Sequence, residues 1–477
     1  MFSASLKKIP HLSAVSRIAK RRNQGIWLVG GALRDIYLKS NKELIDFDFC
    51  VEKETLAVAK EFAKIISSKV IILDKDQKSY RVVLKEKDRN FTYDFTAMRG
   101  ENLEEDLALR DFTINTLTVS LLDKKLKLVD HLEAGKAIKN KTITVVRDEV
   151  IPQDPLRILR GFSFVANYGF QINARTLKLI VKHKQLLKSV SKERINEELF
   201  KILASNNSYK VIKIMDKLKI IDQVIPEIAK MRGVKQEGGF HHLEVWDHSL
   251  ETLRQFELFS NKQLGKNQEM ANYLNQELAG KRRRSQVIKL ACLLHDIGKP
   301  KAKKKLKGKI VFHAHEKIGQ EITEKIADNL RLSLREKNVL TKLIFWHLRP
   351  GYLADQVYPS KRAVYRFFRD TQEEGVAVIL LSFSDWRATR GPLTDNKKRK
   401  RHEVIMLGLA DKYFVDKAKK PLPKIIDGNS IMKKYKIPSG PLVGTVLHKV
   451  LEEQALGNIS TKQEALVIAK NIIAKAL

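Results

Sequence analysis

The sequence predicts an α+β fold, with a mixed sheet and helices in the first third and an all-α remainder. Three observations predict it. Short apolar runs set off by glycine turns fill residues 25–135, as strands of a small sheet do. After Pro152 the apolar positions recur at helical spacing. From about residue 237 to 395 that spacing continues while histidines gather: His241, His242, His248, His295, His313, His315 and His347 are seven of the twelve in the chain. A single core stops growing near ~250–300 residues, so 477 residues imply several domains.

The elements follow in order. Residues 1–24 form a short basic leader helix, with Lys7, Lys8, Arg17, Arg21 and Arg22 and no acid before Asp35. Residues 25–145 form the head. In it Ile26–Val29 is a strand, Gly30-Gly31 a turn and Ala32–Leu38 a helix. Leu44–Val51 is a strand, Lys53–Ile66 a helix and Val70–Leu73 a strand, and 81–84, 91–95 and 114–122 add β-rich runs. Residues 146–235 form a helical neck, from the apolar positions Leu156, Ile158, Leu159, Phe162 and Val165 through Leu177–Ile180 to Ile195–Leu203. Residues 236–400 are the histidine-bearing helical domain, and 401–477 a helical tail beyond the Lys397–Arg401 run.

Composition narrows the partners. Lys and Arg number 90 against 55 Asp and Glu, a net charge of +35, which favours a polyanion such as nucleic acid. Only Cys50 and Cys292 are present, which excludes a disulfide framework and fits a reducing cytoplasm. No run of ~18 apolar residues exists to span a membrane.

Two constellations carry chemistry. In the first, Gly30-Gly31-Ala32-Leu33-Arg34-Asp35 joins a strand to a helix, so backbone amides can approach a phosphate and Arg34 can add a charged contact. Asp46-Phe47-Asp48 then puts two carboxylates on one face of a strand and Phe47 on the other. Adjacent acids repel unless a cation lies between them, and Mg²⁺ suits oxygen ligands completed by phosphates. This arrangement resembles the nucleotidyltransferase superfamily that includes DNA polymerase beta. Further blocks resemble the bacterial tRNA nucleotidyltransferase / poly(A) polymerase family: Leu109-Arg110-Asp111-Phe112-Thr113-Ile114-Asn115, then Asp154-Pro155-Leu156-Arg157-Ile158-Leu159-Arg160, then Glu193-Arg194 with Glu198.

The resemblance implies a polymerase-beta-like head. Asp46 and Asp48 would hold Mg²⁺, with Gly30, Gly31, Arg34, Arg110, Asp111, Asn115, Asp154, Arg157 and Arg160 around the nucleotide. It also implies transfer of C and A from CTP and ATP to a tRNA 3′ end. Asp154 and Arg157, read as one helical turn apart on a shared face, offer an acceptor and donors that fit cytosine or adenine and reject uracil and guanine. A ribose hydroxyl could donate to Asp111. Three departures from the family stand out: Gln153 replaces a Glu, Leu109 replaces an Arg, and only Gly100-Glu101-Asn102 separates Arg99 from Leu103. The short connection resembles that of members adding the two cytidines alone.

The second constellation is His248, His295-Asp296 and Asp385, with His315 and His347 between them. It resembles the HD-domain phosphohydrolase pattern, which implies a divalent metal at His248, His295, Asp296 and Asp385 and a second at His315 and His347. His241, His242 and His313 are expected at the surface or behind the site. Lys299 would sit beside the metal, where it could meet a substrate phosphate. Three basic runs, 281–284, 299–309 and 397–401, are expected to contact an RNA backbone without reading sequence. The competing readings are a poly(A) polymerase and an HD phosphohydrolase whose head delivers RNA.

Overall fold

The computed structural model describes residues 2–476 apart from 41–42, 87–88, 237–241, 264–265, 357, 393–394 and 419–421. The chain divides into two compact units, Met1–Ile202 with Lys217–Val224, and Leu203–Asp216 with Ile225–Leu477. The division falls inside the segment expected as the neck.

In the first unit the leader is two helices, Phe2–Leu6 and Leu12–Arg22. A seven-stranded sheet follows, made of β1 (Ile26–Val29), β2 (Asp46–Val51), β3 (Val70–Asp74), β4 (Ser79–Glu86), β5 (Arg89–Ala97), β6 (Leu117–Ser120) and β7 (Leu128–Asp130). Its order is β3-β4-β5-β2-β1-β6-β7. The β2–β5 pair is parallel and the other pairs are antiparallel. Alternation along β2 buries Phe47 and Phe49 and exposes Asp46 and Asp48. Phe49 stacks on Phe95 of β5 at 5.0 Å, and Phe62 of the helix Thr55–Ile65 packs on Tyr93 at 4.8 Å. Each such burial stabilises the sheet by about 1.5–3 kcal/mol, which fixes the acids on the opposite face. The helix expected from Lys53 begins at Thr55, because Glu54 takes a left-handed φ of 50°.

Beyond the sheet come the helices Arg157–Tyr168, Ala174–His183 and Lys192–Ala204. A two-residue parallel ladder between β8 (Thr142–Ile143) and β9 (Gln171–Ile172) ties this segment back. Runs this short carry no periodicity in the sequence.

The second unit is mainly helical. Val245–Gln263, Arg284–Leu294, His315–Asn329, Leu334–Trp346 and Gly375–Ala388 carry the histidine cluster. Two hairpins interrupt them, β10 (Glu277–Ala279) with β11 (Arg282–Arg283), and β12 (Lys304–Leu306) with β13 (Lys309–Val311). Both are too basic for an apolar alternation to announce them. The last helices, Gly428–Tyr435, Pro441–Ala455 and Lys462–Ala476, share a small core of Ile431, Val446, Val450, Ala465 and Ala469. Arg362 and Arg366 bind Glu453 and Glu452 at 2.7 and 2.9 Å and hold these helices to the rest. Among the described residues no helix is long and apolar enough to cross a membrane.

Candidate functional site

In the first unit, pairing sets the acidic face. Asp48 stands opposite Asp94 in the β2–β5 register and Asp46 opposite Thr92, which donates its hydroxyl to Asp46. The edge of Asp48 is open to solvent, yet the atoms packed around it and the charges of Asp94 and Asp46 push its pKa up to about 6, against the pull of Arg110. Burial is the largest of these causes. Arg81 pairs with Asp94, so Asp46 and Asp48 are the carboxylates left with little compensation; they fit a bound divalent cation, and an all-oxygen donor set fits Mg²⁺. Asp94 was not singled out from the sequence. Its alternation with the buried Tyr93 and Phe95 marks its face of the strand, but its place opposite Asp48 comes only from the β2–β5 pairing.

The glycine turn lies against this face. Gly30 has φ 79°, and a Cβ there would come 3.2 Å from Asp48 Oδ2 and 3.7 Å from Arg110 Nη1. The site therefore leaves room only for glycine. Arg110 is held from behind by Asp106, whose Oδ2 accepts from Nε and Nη2 at 3.2 and 3.1 Å. The other oxygen of Asp106 accepts from the backbone and Nε of Arg99. Arg34, expected at phosphate, donates instead to Asp35 (3.0 Å), Asn115 (2.6 Å) and Tyr168 (2.6 Å) and is buried among them. Asp111 accepts from Arg160 at 2.9 and 2.7 Å, from Asn115 at 2.9 Å and from the Phe112 amide. Burial would raise its pKa, but Arg160 and these donors hold it down to about 2. The same contact with Asp111 raises the guanidinium pKa of Arg160 against burial.

Asp154 and Arg157 do not share a helical face. Asp154 is extended (φ −141°, ψ 94°) and precedes the helix that Arg157 opens. Pro155 follows it, and the residue before a proline avoids helical geometry. Asp154 Oδ2 accepts from Arg194 at 2.9 Å. Arg157 donates to the carbonyls of Leu109 (3.0 Å), Val150 (3.2 Å) and Arg110 (3.4 Å), and burial lowers its pKa. Arg194 thus links the third sequence block to the second.

In the second unit, five helices bring six ligand-type side chains together. His248 Nε2 lies 2.7 Å from Asp385 Oδ1 and 3.9 Å from Asp296 Oδ2. His295 Nε2 lies 3.2 Å from Asp296 Oδ2. On the far side of the same carboxylate, Asp296 Oδ1 lies 3.4 Å from His315 Nε2 and 4.0 Å from His347 Nε2. Two trios thus share Asp296: His248, His295 and Asp296, then Asp296, His315 and His347.

The outer ring nitrogens fix the tautomers. Nδ1 of His295, His315 and His347 meets the carbonyls of Cys292 (3.0 Å), Phe312 (2.9 Å) and Ile344 (2.6 Å). A carbonyl only accepts, so each Nδ1 carries the proton and each Nε2 points its lone pair inward. His295 Nε2 is buried without an aligned hydrogen bond. This nitrogen and carboxylate set fits a divalent transition metal, and its two halves fit two. Burial and the neighbouring rings push the pKa of His347 down to about 3. Asp296 is held well below the carboxylate range, burial being outweighed by His295 and Lys299. Lys299 Nζ lies 2.7 Å from Asp296 Oδ2 and 2.6 Å from Gln236 Oε1. His242 and His313 are exposed, and His241 lies outside the described residues.

Half of the basic run 281–284, expected at an RNA backbone, is engaged within the protein, while Lys281 and Arg283 are exposed. Arg284 is fully buried, paired with Glu374 and bonded to Gln276, and Arg282 pairs with Glu336 at 3.3 Å. These charges hold β11 and its helix in place.

A strand bearing an acid pair beside a glycine turn, and a buried His/Asp cluster on helices, define a nucleotidyltransferase-type head and an HD-type metal site on one chain. The family descriptions agree: "Poly A polymerase head domain" matches residues 26–144, "Probable RNA and SrmB-binding site of polymerase A" 169–231, and "HD domain" 245–414. The A-adding tRNA nucleotidyltransferase of Deinococcus radiodurans is 28% identical over 450 residues, 92% of this chain and 94% of that protein. The CC-adding tRNA nucleotidyltransferase of Thermus thermophilus is 29% identical over 446 residues, 92% and 91% respectively. A CCA-adding enzyme solved in its apo form shares the fold with a TM-score of 0.65 at 19% identity, over 97% of this chain and 93% of that one. The Thermotoga maritima CCA-adding enzyme complexed with tRNA gives 0.60 at 20% identity, over 98% and 95%. The chain belongs to the tRNA nucleotidyltransferase / poly(A) polymerase family and carries an HD domain.

Proposed function

We propose that this protein is a template-independent tRNA nucleotidyltransferase, transferring cytidylate and, where accepted, adenylate from CTP or ATP to a tRNA 3′-hydroxyl with release of pyrophosphate. The carrying observation is the meeting of Asp46, Asp48, Gly30 and Arg110 on one face of the sheet. Bound at Asp46 and Asp48, Mg²⁺ would supply charge neutralisation at the α-phosphate and a more acidic attacking hydroxyl. The chain does the rest. The Gly30–Gly31 turn gives the triphosphate a close approach to backbone. Arg110, braced by Asp106, faces its charge. Asp111, Asn115 and Arg160 form a rigid bonded set beneath the ribose and phosphates. Asp154 and Arg157 present the base-reading acceptor and donors once they exchange Arg194 and the carbonyls for a base edge. The similarity to tRNA nucleotidyltransferases along nearly the whole chain favours tRNA as the acceptor over a poly(A) tail.

The HD cluster is read as a metal-dependent phosphohydrolase centre held by His248, His295, Asp296, Asp385, His315 and His347. The buried, unpaired cysteines Cys50 and Cys292 fit a cytoplasmic protein. The test is to incubate tRNA lacking its 3′ end with each labelled nucleotide in turn and sequence the products. Ordered incorporation of C is expected, and a homopolymeric A tail would overturn the assignment.

A further inference from the structure

We propose that the β12–β13 hairpin is an RNA-docking arm of the HD cluster, gripping the phosphodiester backbone of a strand whose terminal phosphate enters that cluster. The proposal rests on the reading of the cluster as a phosphohydrolase centre.

Position comes first. The hairpin is inserted between His295-Asp296 and His315, and both its stems are fastened to the cluster. On the way in, Lys299 Nζ binds Asp296 Oδ2 at 2.7 Å and sits 5.6 Å over the Phe312 ring. On the way out, the Phe312 carbonyl meets His315 Nδ1 at 2.9 Å. Anything held along the arm therefore ends at the rim of the buried carboxylate and imidazoles.

Charge comes second. Lys301, Lys303, Lys304, Lys305, Lys307 and Lys309 are all exposed, and no acid occurs from residue 297 to 315. Among the described residues none of the six belongs to an ion pair. Exposed or half-buried lysines elsewhere in this unit find acids, as Lys337 does with Asp328, Lys412 with Asp416 and Lys449 with Glu452. The other two basic runs are answered in part within the protein: 281–284 by Glu374 and Glu336, and 397–401 by the Lys398–Asp355 pair. The six lysines of this arm are a block of like charge with no internal answer among the described residues, and like charges packed along a two-stranded ribbon repel one another. A polyphosphate backbone relieves that repulsion and gains counterion release.

Shape comes third. The strands pair Lys304 with Val311, Lys305 with Ile310 and Leu306 with Lys309, and Lys307 and Gly308 turn the chain at φ 47° and 80°. The result is a narrow projecting ribbon, suited to lie along a strand rather than enclose a small molecule.

The test uses the full chain with Lys303, Lys304, Lys305 and Lys307 changed together to Gln, and a second variant with the same four changed to Arg. The probe is a single-stranded RNA oligonucleotide ending in a 2′,3′-cyclic phosphate. For the Gln variant, RNA affinity should fall at least about tenfold, and the slope of log affinity against log salt should flatten by roughly 3, at ~0.7 for each phosphate no longer neutralised. KM for hydrolysis of the RNA end should rise in parallel, while turnover of bis(p-nitrophenyl) phosphate stays unchanged. The Arg variant should restore all three. Unchanged RNA affinity and salt slope in the Gln variant would overturn the docking arm. Hydrolysis of neither substrate by the unmodified protein would instead overturn delivery to the cluster, while the binding measurement still reads the docking.

Discussion

Asp94 of β5 lies directly across the parallel β2–β5 pair from Asp48, and Arg81 grips it with bonds of 2.7 and 2.6 Å. The acidic face thus contains two carboxylates free to take a cation and a third already partnered. Asp46→Ala or Asp48→Ala should lower nucleotide incorporation by on the order of 10³-fold or more, since each removes an anionic ligand facing the α-phosphate. Asp94→Asn should cost less, because its charge is shared with Arg81. Near-normal incorporation by either alanine variant would sink the metal assignment.

Arg157 offers a second test. In this state its guanidinium ties the Leu109 and Arg110 carbonyls to the start of its helix. Arg157→Ala should therefore loosen the segment that carries Arg110 and Asp111 and also remove the donors that would face a base. Discrimination against UTP and GTP should fall more than affinity for CTP does. If both wrong nucleotides stay excluded, the base is read elsewhere.

The HD cluster makes a stoichiometric prediction from the sharing of Asp296. Removing the common carboxylate should weaken both halves, so Asp296→Ala should lose bound transition metal altogether. His347→Ala should lose only the share held with His315. Metal analysis of the purified variants reads this directly. In both variants CTP incorporation into tRNA should remain, and its loss with the fold intact would mean that the two sites act as one.

Asp111 links the head to acid stability. Its folded pKa of about 2 lies below the ordinary 3.8. A depressed carboxylate contributes stability that is present above the unfolded value and is lost as pH falls through the folded one. The contribution is on the order of 2 kcal/mol, and it should vanish between about pH 4 and pH 2. Asp111→Asn should flatten the stability curve in that window, as urea unfolding at stepped pH would show. An unaltered curve would mean that Arg160 is not what holds the carboxylate down.

The contrast between Asp46/Asp48 and Asp154/Arg157 shows what the sequence made legible. The first pair depends on the two-residue period of one strand, a local rule, and the structure exposes both acids as that rule requires. The second depends on where a helix starts. The expected shared face would need Asp154 to be helical, and the proline after it prevents that. Asp94 escaped notice because its role comes from pairing with a strand forty-six residues away, and no local pattern encodes that register. The partners of Arg34, Asn115 and Tyr168, lie 81 and 134 residues off for the same reason. In the HD domain the sequence showed which His and Asp side chains belong to one cluster. The division of Asp296 between two histidine pairs was not legible, since it depends on the crossing of five helices.

The last prediction concerns what the enzyme adds. Accepting ATP after two cytidines requires the pocket to rearrange around a larger base while Asp154 and Arg157 stay in use, and such a change needs a mobile lever. The segment after β5 offers little slack. Asn102 caps the helix Leu103–Ala108 by accepting from the Glu105 amide, and Glu105 reaches back to the Glu101 amide. Asp106 then fastens both the backbone and the side chain of Arg99, with Arg110 on its other oxygen. The connection Gly100–Asn102 is thereby stapled at both ends to the residue that braces Arg110. The alternative lever, Lys85–Asn90, is itself paired, Lys85 with Asn90 and Glu86 with Arg89. Similarity does not choose for us, since an A-adding and a CC-adding relative are 28% and 29% identical. The staple does: the purified protein should extend tRNA to a -CC end and stop. Asp106→Asn, which weakens the brace on Arg110, should raise KM for CTP. Efficient AMP incorporation onto a tRNA already ending in -CC, by the unmodified protein alone, would show that the lever lies outside both segments.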